Sequence, residues 1–532
     1  MRLTILSFLL AAAPASASLI QPAIAPNGVV NAGSYIAPGF ANHGIARGSL
    51  FLIFGSNLGP AALVQATSYP LAGSDGLAGT YVHIDANGYT GFALMVYTSA
   101  QQVAAILPSN APEGDATLTL NYNNLTSNPV VIHIVRSAFG MFTFNQGGSG
   151  PAIVQNFVSA AQTPVNTLLA PAAPGQTVIL WGTGLGPVNG DEGSGPLPGA
   201  LPYLDALYVG SLPATVSYAG RSGCCVGVDQ IAFAVPAGVS GCYVPVAAVS
   251  GGILSNLGTI AVSHSGSACD DPLSFRAAGL ATLQSSGRLR VGQIGVAYQA
   301  PPGMPAGTDS LTGTFVAYTP QTLMTSAPVN PSLGSCYATE SLVSPMPAAG
   351  AQGAALNAGA AIQSTGPGVS LMAPSVSPGS YFGSASPANL FAGGYSISGS
   401  GGSDVSPFQG GFTLAQPGTW TNPSAYGSAF LTTGQPFTFR WTGGDPNGYV
   451  NIQISSVNVT LAASIVCNAA ASPGSFMVPN YLTALLVQGE GTISVGFAGA
   501  PAAFSAPGLD VGIVTALTNS VISVNFQTPP AQ

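Results

Sequence analysis

The 532-residue sequence contains no lysine, and only 5% of its residues are charged. An ordinary soluble domain carries about 25% charged residues. Without lysine the chain has no Schiff-base nucleophile, no Ser-Lys dyad and no P-loop of the form G-x-x-x-x-G-K-[ST]. Its basic residues are scattered arginines and its net charge is −8. Because nucleic-acid binding needs clustered positive charge, we expect no nucleic-acid partner.

The sequence also has few residues suited to a catalytic or metal site. No serine stands in G-x-S-x-G, and the histidines do not fall at H-x-H or H-x-x-x-H spacing; they are His43, His83, His133 and His264. Acidic residues occur in "NGDEG" (189–193), "CDD" (269–271) and "GGDPNG" (443–448). Asp and Asn in such stretches are typical of turns. We therefore predict no catalytic residue, no cofactor and no metal ligand, with a calcium-stabilised module as an alternative.

Long apolar runs are missing except at the N-terminus. "MRLTILSFLLAAAPASASLI" has one charge at Arg2, an apolar stretch and an A-x-A site at Ala15 to Ala17. This pattern predicts a signal peptide over 1–17 and a mature chain that begins at Ser18. No later stretch reaches the roughly 20 apolar residues of a spanning helix. We expect a secreted or cell-surface protein with no transmembrane segment.

Cysteines are few, and in an exported chain they indicate disulfides. The candidates are Cys224, Cys225, Cys242, Cys269, Cys336 and Cys467. If 230–236 and 242–250 are consecutive strands, Cys242 lies about 20 Å from the adjacent pair. A disulfide needs Cα atoms within about 7 Å. This leaves open a Cys224–Cys225 bond, or bonds from these two residues to the cysteines at 269, 336 or 467.

What the sequence has in abundance is glycine (70) and proline (44), placed between short apolar runs. That arrangement predicts many short strands joined by turns. "ARGSLFLIFGSNLGP" (46–60) returns as "APGQTVILWGTGLGP" at 173–187, an offset of 127. "QVAAILP" (102–108) likewise matches "QIAFAVP" (230–236), and Ser127-Asn128 matches Ser255-Asn256. Anchors in the same order predict a tandem duplication.

Each repeat unit has the length of one β-sandwich domain. The glycine-rich motif follows a strand, but no helix follows it to bind an anion, so we interpret it as a structural turn. We predict an all-β protein of tandem immunoglobulin-like β-sandwich modules, with further β-rich domains in the C-terminal half. The predicted bounds are 18–140 for module 1, 141–266 for module 2, 267–416 for a β-rich region and 417–532 for a C-terminal immunoglobulin-like sandwich.

Aromatic residues are the remaining candidates for ligand contact. Trp181 and Trp441 lie in predicted strands, where core packing is the simpler interpretation. Trp420, in "GTWTNPS", is least constrained by its neighbours. We therefore single out Trp420 as the candidate for stacking on a sugar.

The repeated stretches "GSLFLIFGSNLGP", "QVAAILP" and "SNPVVIHIV", with their counterparts in the second unit, carry a resemblance. Over about 29–263 the chain resembles a family of exported bacterial proteins with paired immunoglobulin-like modules, related in style to IPT/TIG domains. The resemblance implies a secreted β-sandwich protein and carries over no catalytic or ligand-binding residue. We expect a non-enzymatic structural, adhesive or interaction protein whose partner is an extracellular protein or a polysaccharide. The alternative is a carbohydrate-binding or carbohydrate-active protein with its site in the C-terminal half.

Overall fold

The computed structural model describes residues 21–265, 268–300, 307–326, 329–343, 353–427 and 430–529. The predicted signal peptide lies outside these ranges. Within them strands dominate, arranged as antiparallel sandwiches and one large mixed sheet. The described helices are all too short or too polar to cross a membrane. The all-β fold class predicted from the sequence is confirmed.

Module 1 is a sandwich of two sheets, with strand orders β1-β3-β8-β7-β4 and β2-β11-β9-β5-β6. Alternating apolar residues from both sheets, such as Ile53, Val82 and Leu118, fill the space between them. Asn87 and Gly88, both at positive φ, form the hairpin turn between β5 and β6, a turn that the Asn-Gly sequence favours. The strands are β1 (Ala23–Asn31), β2 (Ile45–Ala46), β3 (Leu50–Ser56), β4 (Val64–Gln65), β5 (Thr80–Ala86), β6 (Tyr89–Phe92), β7 (Leu94–Thr98), β8 (Gln102–Ile106), β9 (Gly114–Tyr122), β10 (Leu125–Thr126) and β11 (Val130–Val135).

Module 2 repeats this architecture. Its sheets run β12-β14-β19-β18-β15 and β17-β16-β20-β21, with β13 paired to β14 and β22 to β20. The order β14-β19-β18-β15 therefore matches β3-β8-β7-β4 in module 1. The strands are β12 (Gly140–Met141), β13 (Val154–Asn156), β14 (Thr177–Thr183), β15 (Gly199–Ala200), β16 (Leu204–Val209), β17 (Leu212–Pro213), β18 (Thr215–Arg221), β19 (Asp229–Ala234), β20 (Gly241–Ser250), β21 (Ile253–Leu254) and β22 (Gly258–Val262).

The repeated Ser-Asn pair makes the same hydrogen bonds in both modules. Ser127 Oγ accepts from the Leu120 amide, and Ser255 Oγ accepts from the Ala248 amide, each at 3.0 Å. The asparagine that follows each serine bonds both the N–H and the C=O of the first strand, at Ile24 in module 1 and at Met141 in module 2. Each pair thus ties the first strand of its module to the sandwich.

The rest of the chain forms one C-terminal body rather than two domains. Twelve strands of a 15-stranded sheet follow the order β25-β36-β35-β38-β40-β23-β24-β29-β28-β27-β30-β31. Off this path β26 pairs with β24, and β33 and β39 pair with β40; β32-β34-β37 form a separate small sheet. Strands from before and after residue 416 share this path, because β36, β35, β38 and β40 lie between β25 and β23. The strands are β23 (Leu289–Ala300), β24 (Thr308–Tyr318), β25 (Ser335–Leu342), β26 (Ala354–Ala355), β27 (Ala361–Gly366), β28 (Val369–Ser377), β29 (Ser380–Ala385), β30 (Gly393–Gly399), β31 (Phe408–Leu414), β32 (Gly418–Trp420), β33 (Phe430–Thr432), β34 (Phe437–Gly443), β35 (Tyr449–Val457), β36 (Leu461–Ala470), β37 (Ser475–Val478), β38 (Gly489–Ala498), β39 (Ala502–Ala503) and β40 (Val511–Gln527).

The sequence-based division of this body at residue 416 does not match its sheet. The boundary predicted between 416 and 417 does not separate two sheets, because β23 pairs in parallel with β40 and β25 pairs with β36. This body also contains the helices α1 (Ala277–Ser286), α2 (Pro320–Ser326) and α3 (Asn480–Thr483). In α1, Leu280 and Leu283 lie one turn apart on the buried side, a spacing too short to give a clear sequence pattern.

All three bodies pack against one another. Module 2 contributes Ala247, Leu254 and Leu257 to the main core of the C-terminal body, and Tyr208 stacks on Tyr481 with ring centroids 4.5 Å apart. A loop of module 1 covers Leu461 and Ala463 of β36 with the apolar residues Ile36, Ala37 and Phe40. The chain is therefore not a string of modules connected only by linkers.

Candidate functional site

The second copy of the glycine-rich motif lies at the junction between modules 1 and 2. Gly184 and Gly186 have φ values of 102° and 132°, which side chains other than glycine rarely adopt. The amide of Leu185 donates to Asp229 Oδ2 at 2.7 Å. The turn is thus occupied by bonds within the protein, which supports the interpretation that it is structural.

An ion pair buried under this turn holds it in place. Arg221 Nη1 lies 2.7 Å from Asp229 Oδ1, and the two side chains are 2% and 0% exposed. Arg221 Nη2 also donates to the Gly186 carbonyl at 2.8 Å. Burial raises the pKa of Asp229 to about 6, while Arg221 and the amides that donate to the carboxylate act in the opposite direction. The pair therefore depends on both members being present.

Residues 188–193, which we call the strap, run from the turn across onto module 1. Both oxygens of the Glu192 carboxylate accept from Ser109, one from its amide at 2.6 Å and the other from its hydroxyl at 2.9 Å. The Val188 amide donates to the same hydroxyl, and the Leu71 amide donates to the Gly193 carbonyl. The strap fixes module 2 to module 1 through a buried carboxylate. Burial raises the pKa of Glu192, although its bonds to Ser109 oppose that change.

A cleft of about 620 Å³ opens between the strap and module 1. Its module 1 wall carries the half-buried rings of Tyr89 and Phe92, and the strap forms the opposite wall. The Tyr89 ring lies over Gly91, where a Cβ atom would fall 2.2 Å from the phenolic oxygen. The lining residues are Tyr89, Phe92, Leu94, Pro108, Ser109, Asn110, Val188, Asn189, Gly190, Asp191, Glu192 and Gly193. Aromatic, amide and carboxylate groups therefore meet at a junction whose two walls are held together.

The cleft residues on module 1 were not singled out from the sequence. A signal did exist, because the two copies diverge where the cleft lies: module 1 has Ser109-Asn110 after its "ILP", and module 2 has Ala237-Gly238 after its "AVP". Only Ser109 can accept from the strap and donate to Glu192. Differences between the repeats, rather than similarities, mark this site.

Trp420, the predicted sugar-stacking residue, lies in the core of the C-terminal body. It is 5% exposed, packs near Tyr426 and Phe439, and donates its indole N–H to Asn422 Oδ1. Its ring is therefore not open to a ligand, which corrects the expectation. Trp441 is also buried, as expected, whereas Trp181 is half-buried on β14.

The six candidate cysteines divide into two disulfides and two free thiols. Cys242 bonds to Cys269, and Cys336 bonds to Cys467, the latter joining neighbouring strands β25 and β36. Cys242 does not bond to the 224–225 pair, as the hairpin argument predicted. Cys224 and Cys225 are free and exposed. Neither alternative left open for them is realised. Cys224 and Cys225 are not bonded to each other, and the other four cysteines pair among themselves.

The acidic stretches considered for calcium make hydrogen bonds and ion pairs within the protein. Asp191 caps a short 3-10 helix (Glu192–Ser194) by accepting from the Gly193 amide, and Asp445 accepts from the Asn447 amide. Asp270 pairs with Arg276, and Asp271 accepts from Ser332. Across the part of the chain that the structure describes, no three acidic, histidine or cysteine side chains are grouped to hold a metal ion.

Comparisons with known proteins add little to this geometry. No protein-family model matches the chain, and no curated protein does. Among solved structures, a tetra-tandem repeat from the extending region of a large adhesion protein is similar at 12% identity and a TM-score of 0.14, over 91% of this chain and 98% of that one. The Bacteroides ovatus glucan-utilisation protein SGBP-B, solved with a mixed-linkage heptasaccharide, has 11% identity and a TM-score of 0.14, over 83% and 87% of the two chains. A biofilm-associated protein BSP domain has 10% identity and a TM-score of 0.14, over 97% and 100%.

TM-scores this low carry no argument about function. The assignment of tandem immunoglobulin-like sandwiches rests on the strand order and the repeated contacts of the two modules themselves.

Proposed function

We propose that this protein is exported and acts at or beyond the cell surface as a non-enzymatic interaction or adhesion protein. The predicted signal peptide and the two disulfides support export, since disulfides persist in oxidising compartments. The observation that carries the interaction role is the cleft between modules 1 and 2. A ligand bound there meets walls already fixed by the strap, so little ordering opposes binding.

The groups that line the cleft favour a polysaccharide over a protein as its ligand. The rings of Tyr89 and Phe92 offer apolar faces for the C–H faces of a sugar. The side-chain amides of Asn110 and Asn189 can both donate to and accept from hydroxyl groups. In the C-terminal half the burial of Trp420 removes the feature that suggested a sugar site there.

Binding screens of the mature chain from Ser18 test this role. We expect saturable binding to a polysaccharide on a glycan array, weakened about tenfold or more in Phe92→Ala and Asn110→Ala. The matched control is Phe382→Ala, which removes an aromatic ring that is 50% exposed on the C-terminal body. The control should bind like the wild type, and thermal unfolding should show that all variants fold.

Three results would contradict parts of the proposal. Undiminished polysaccharide binding by the cleft variants would overturn the cleft as the site. Capture of a protein partner that the same variants lose would keep the interaction role and overturn the polysaccharide. Release of reducing ends from the bound polysaccharide would overturn the non-enzymatic role.

A further inference from the structure

Both charged side chains that line the cleft between modules 1 and 2 are acidic. They are Asp191 and Glu192 of the strap, and among the described residues no arginine or histidine lines the cleft. Glu192 is 7% exposed and bonds to Ser109, whereas Asp191 is exposed. A Cβ atom on Gly193 would fall 3.2 Å from Asp191 Oδ1 and 3.4 Å from Leu94 Cδ2, so the Asp191 carboxylate lies beside the module 1 wall.

The Asp191 carboxylate retains free acceptor sites for a ligand. Its two oxygens accept from the Gly193 amide at 3.1 Å and from the Ser194 hydroxyl. The bond from Ser194 is the main reason that the pKa of Asp191 is lowered, so the group is ionised at neutral pH. A carboxylate has about four lone-pair sites, which leaves about two of them open. Across the part of the chain that the structure describes, Asp191 takes part in no ion pair.

The arginines nearest to the cleft are already paired elsewhere. Arg221 lies behind the strap, is 2% exposed and pairs with Asp229. Arg47 and Arg136 both pair with Glu113, and neither of them lines the cleft. The cleft therefore presents negative charge to its ligand, which opposes the binding of sugars that carry carboxylate or sulfate groups.

A second hollow continues this negative surface on the other side of Tyr89. Its volume is about 380 Å³, its lining includes Asp85 and Asp115, and Tyr89 borders both hollows. Asp85 pairs with His83 at 3.3 Å and Asp115 with His133 at 2.8 Å, yet the two aspartate side chains are 54% and 75% exposed. A ligand that extends from the cleft across Tyr89 thus meets further carboxylates. A polymer with repeated positive charges fits this surface better than a single charged sugar.

The aromatic rings of the cleft favour a ligand of positive charge as well. Tyr89 and Phe92 are half-buried there, and Phe92 is packed edge-to-face with the rings of Tyr81 and His83 at 5.8 and 5.2 Å. The face of an aromatic ring is negative and attracts an ammonium group within about 6 Å of its centre. Ring faces and an ionised carboxylate in one cleft therefore attract the same chemical group.

We propose that the ligand of the cleft is a polysaccharide with free amino groups, a polymer of unacetylated amino sugars. Its ammonium groups pair with Asp191 in the cleft and, beyond Tyr89, with Asp85 and Asp115. This inference rests on the proposed function, in which the cleft binds a polysaccharide, and adds the sign of the charge that the polysaccharide carries.

Titration calorimetry of the mature chain with soluble oligosaccharides tests this inference. The probes are oligomers of glucosamine, N-acetylglucosamine and glucose of equal length and linkage, at about pH 6, where alkyl amines are protonated. We expect the glucosamine oligomer to bind at least about tenfold more tightly than the other two. The difference should shrink as salt is added, because salt screens exposed charges.

Asp191→Asn removes the charge of the strap and keeps its hydrogen bonds, because an amide oxygen still accepts from Gly193 and Ser194. It should weaken binding of the glucosamine oligomer about tenfold and leave binding of the N-acetylglucosamine oligomer unchanged. The matched control is Asp445→Asn on the C-terminal body, since Asp445 likewise accepts from the amide two residues on, at 2.9 Å. This control should bind all three oligomers like the wild type.

The second hollow has a test of its own. In the double variant Asp85→Asn, Asp115→Asn, a longer glucosamine oligomer should gain less affinity over a shorter one than it does in the wild type, because the added units meet no carboxylate. An equal gain in the double variant and the wild type would exclude the second hollow from the path of the polymer.

The remaining outcomes separate this inference from the proposed function. Equal binding of all three oligomers, lost in Phe92→Ala, would overturn the inference and keep the cleft as a polysaccharide site. Tighter binding of a galacturonate oligomer than of the glucosamine oligomer would overturn it in the same way. Binding of oligolysine but of no saccharide, weakened in Asp191→Asn, would keep the charge of the ligand and overturn the polysaccharide. Binding of none of these probes would overturn the inference together with the proposed function.

Discussion

The two copies of the glycine-rich turn use different acceptors for the buried amide of their leucine. In module 1 the Leu58 amide donates to the Ala100 carbonyl at 3.0 Å, a bond between two backbone groups. In module 2 the equivalent amide, at Leu185, donates to the carboxylate of Asp229. Leu58 and Leu185 are both fully buried, so each amide needs an acceptor.

The different acceptor in module 2 gives the second turn an additional role in the contact with module 1. A carboxylate accepts more bonds than a carbonyl, but when buried it needs a positive partner, which Arg221 supplies. Arg221 also lies beside Gly48 of module 1, where a Cβ atom would fall 2.6 Å from Nη2. A turn closed within the first copy thus becomes, in the second copy, part of the contact between modules.

Breaking the Arg221–Asp229 ion pair should give the largest loss of stability, and this loss is specific to the second copy of the turn. In Arg221→Met the Asp229 carboxylate stays buried without its partner, and we expect a loss of about 3–5 kcal/mol in the free energy of unfolding. Urea unfolding monitored by fluorescence measures it. Arg136→Met, which removes an exposed pair with Glu113, should leave the free energy of unfolding nearly unchanged.

The double variant Arg221→Met with Asp229→Asn tests the cause of that loss. Because the amide carries no charge to bury, the double variant should be more stable than Arg221→Met alone. Equal stability of the two would mean that packing by the arginine, rather than charge, holds the turn.

The repeated serine makes the same hydrogen bond in both modules, so its removal tests whether the two copies are equally stabilised by it. Ser127→Ala and Ser255→Ala each leave a strand amide, at Leu120 or Ala248, without its acceptor. Each should cost about 1–3 kcal/mol, and the two costs should be similar because the bonds are the same. Thermal unfolding of both variants measures this, and a large inequality would argue that the repeats are not energetically equivalent.

Where module 1 meets the C-terminal body, a change in stability is expected only at high pH. There Glu340 accepts from Asn42 at 2.9 Å, while its other oxygen is buried without a partner. Burial raises the pKa of Glu340 from its usual 4.5 to about 7. Its carboxyl therefore contributes most to stability below pH 4.5, and that contribution is lost as the pH rises through 7.

Glu340→Gln should accordingly leave stability unchanged at pH 4 and raise it at pH 8, by at most about 3 kcal/mol, the equivalent of the full pKa shift. Thermal unfolding at the two pH values measures the change. Glu490→Gln, which makes the same substitution on an exposed side chain, is the matched control. A stabilisation by Glu340→Gln that is the same at both pH values would exclude the titration as its cause.

Much of the N-terminal half could be predicted from the sequence because its signals are local. The strand at 50–56, the Asn87-Gly88 turn and the 127-residue repeat each depend on residues near one another in the chain. The cleft could not be predicted in this way. Glu192 and Ser109 are 83 residues apart, and nothing in either neighbourhood indicates that they meet.

In the C-terminal half, too, contacts between distant segments could not be predicted from the sequence. Strands β23 and β24 are apolar runs in the sequence, but nothing in those runs indicates which segments pair with them. Parallel pairing of β23 with β40 joins segments more than 200 residues apart, and no turn between them fixes the register.

The sequence by itself thus determined the strand content, the duplication and the absence of any reaction that needs a lysine. These features depend on composition or on residues that are close together in the chain. Only the tertiary structure decided which cysteines pair, that Trp420 is buried, and that the second turn rests on the ion pair between Arg221 and Asp229. The physical reason is that burial and pairing depend on which distant segments pack together, and the hydrophobic effect that drives packing is not directional.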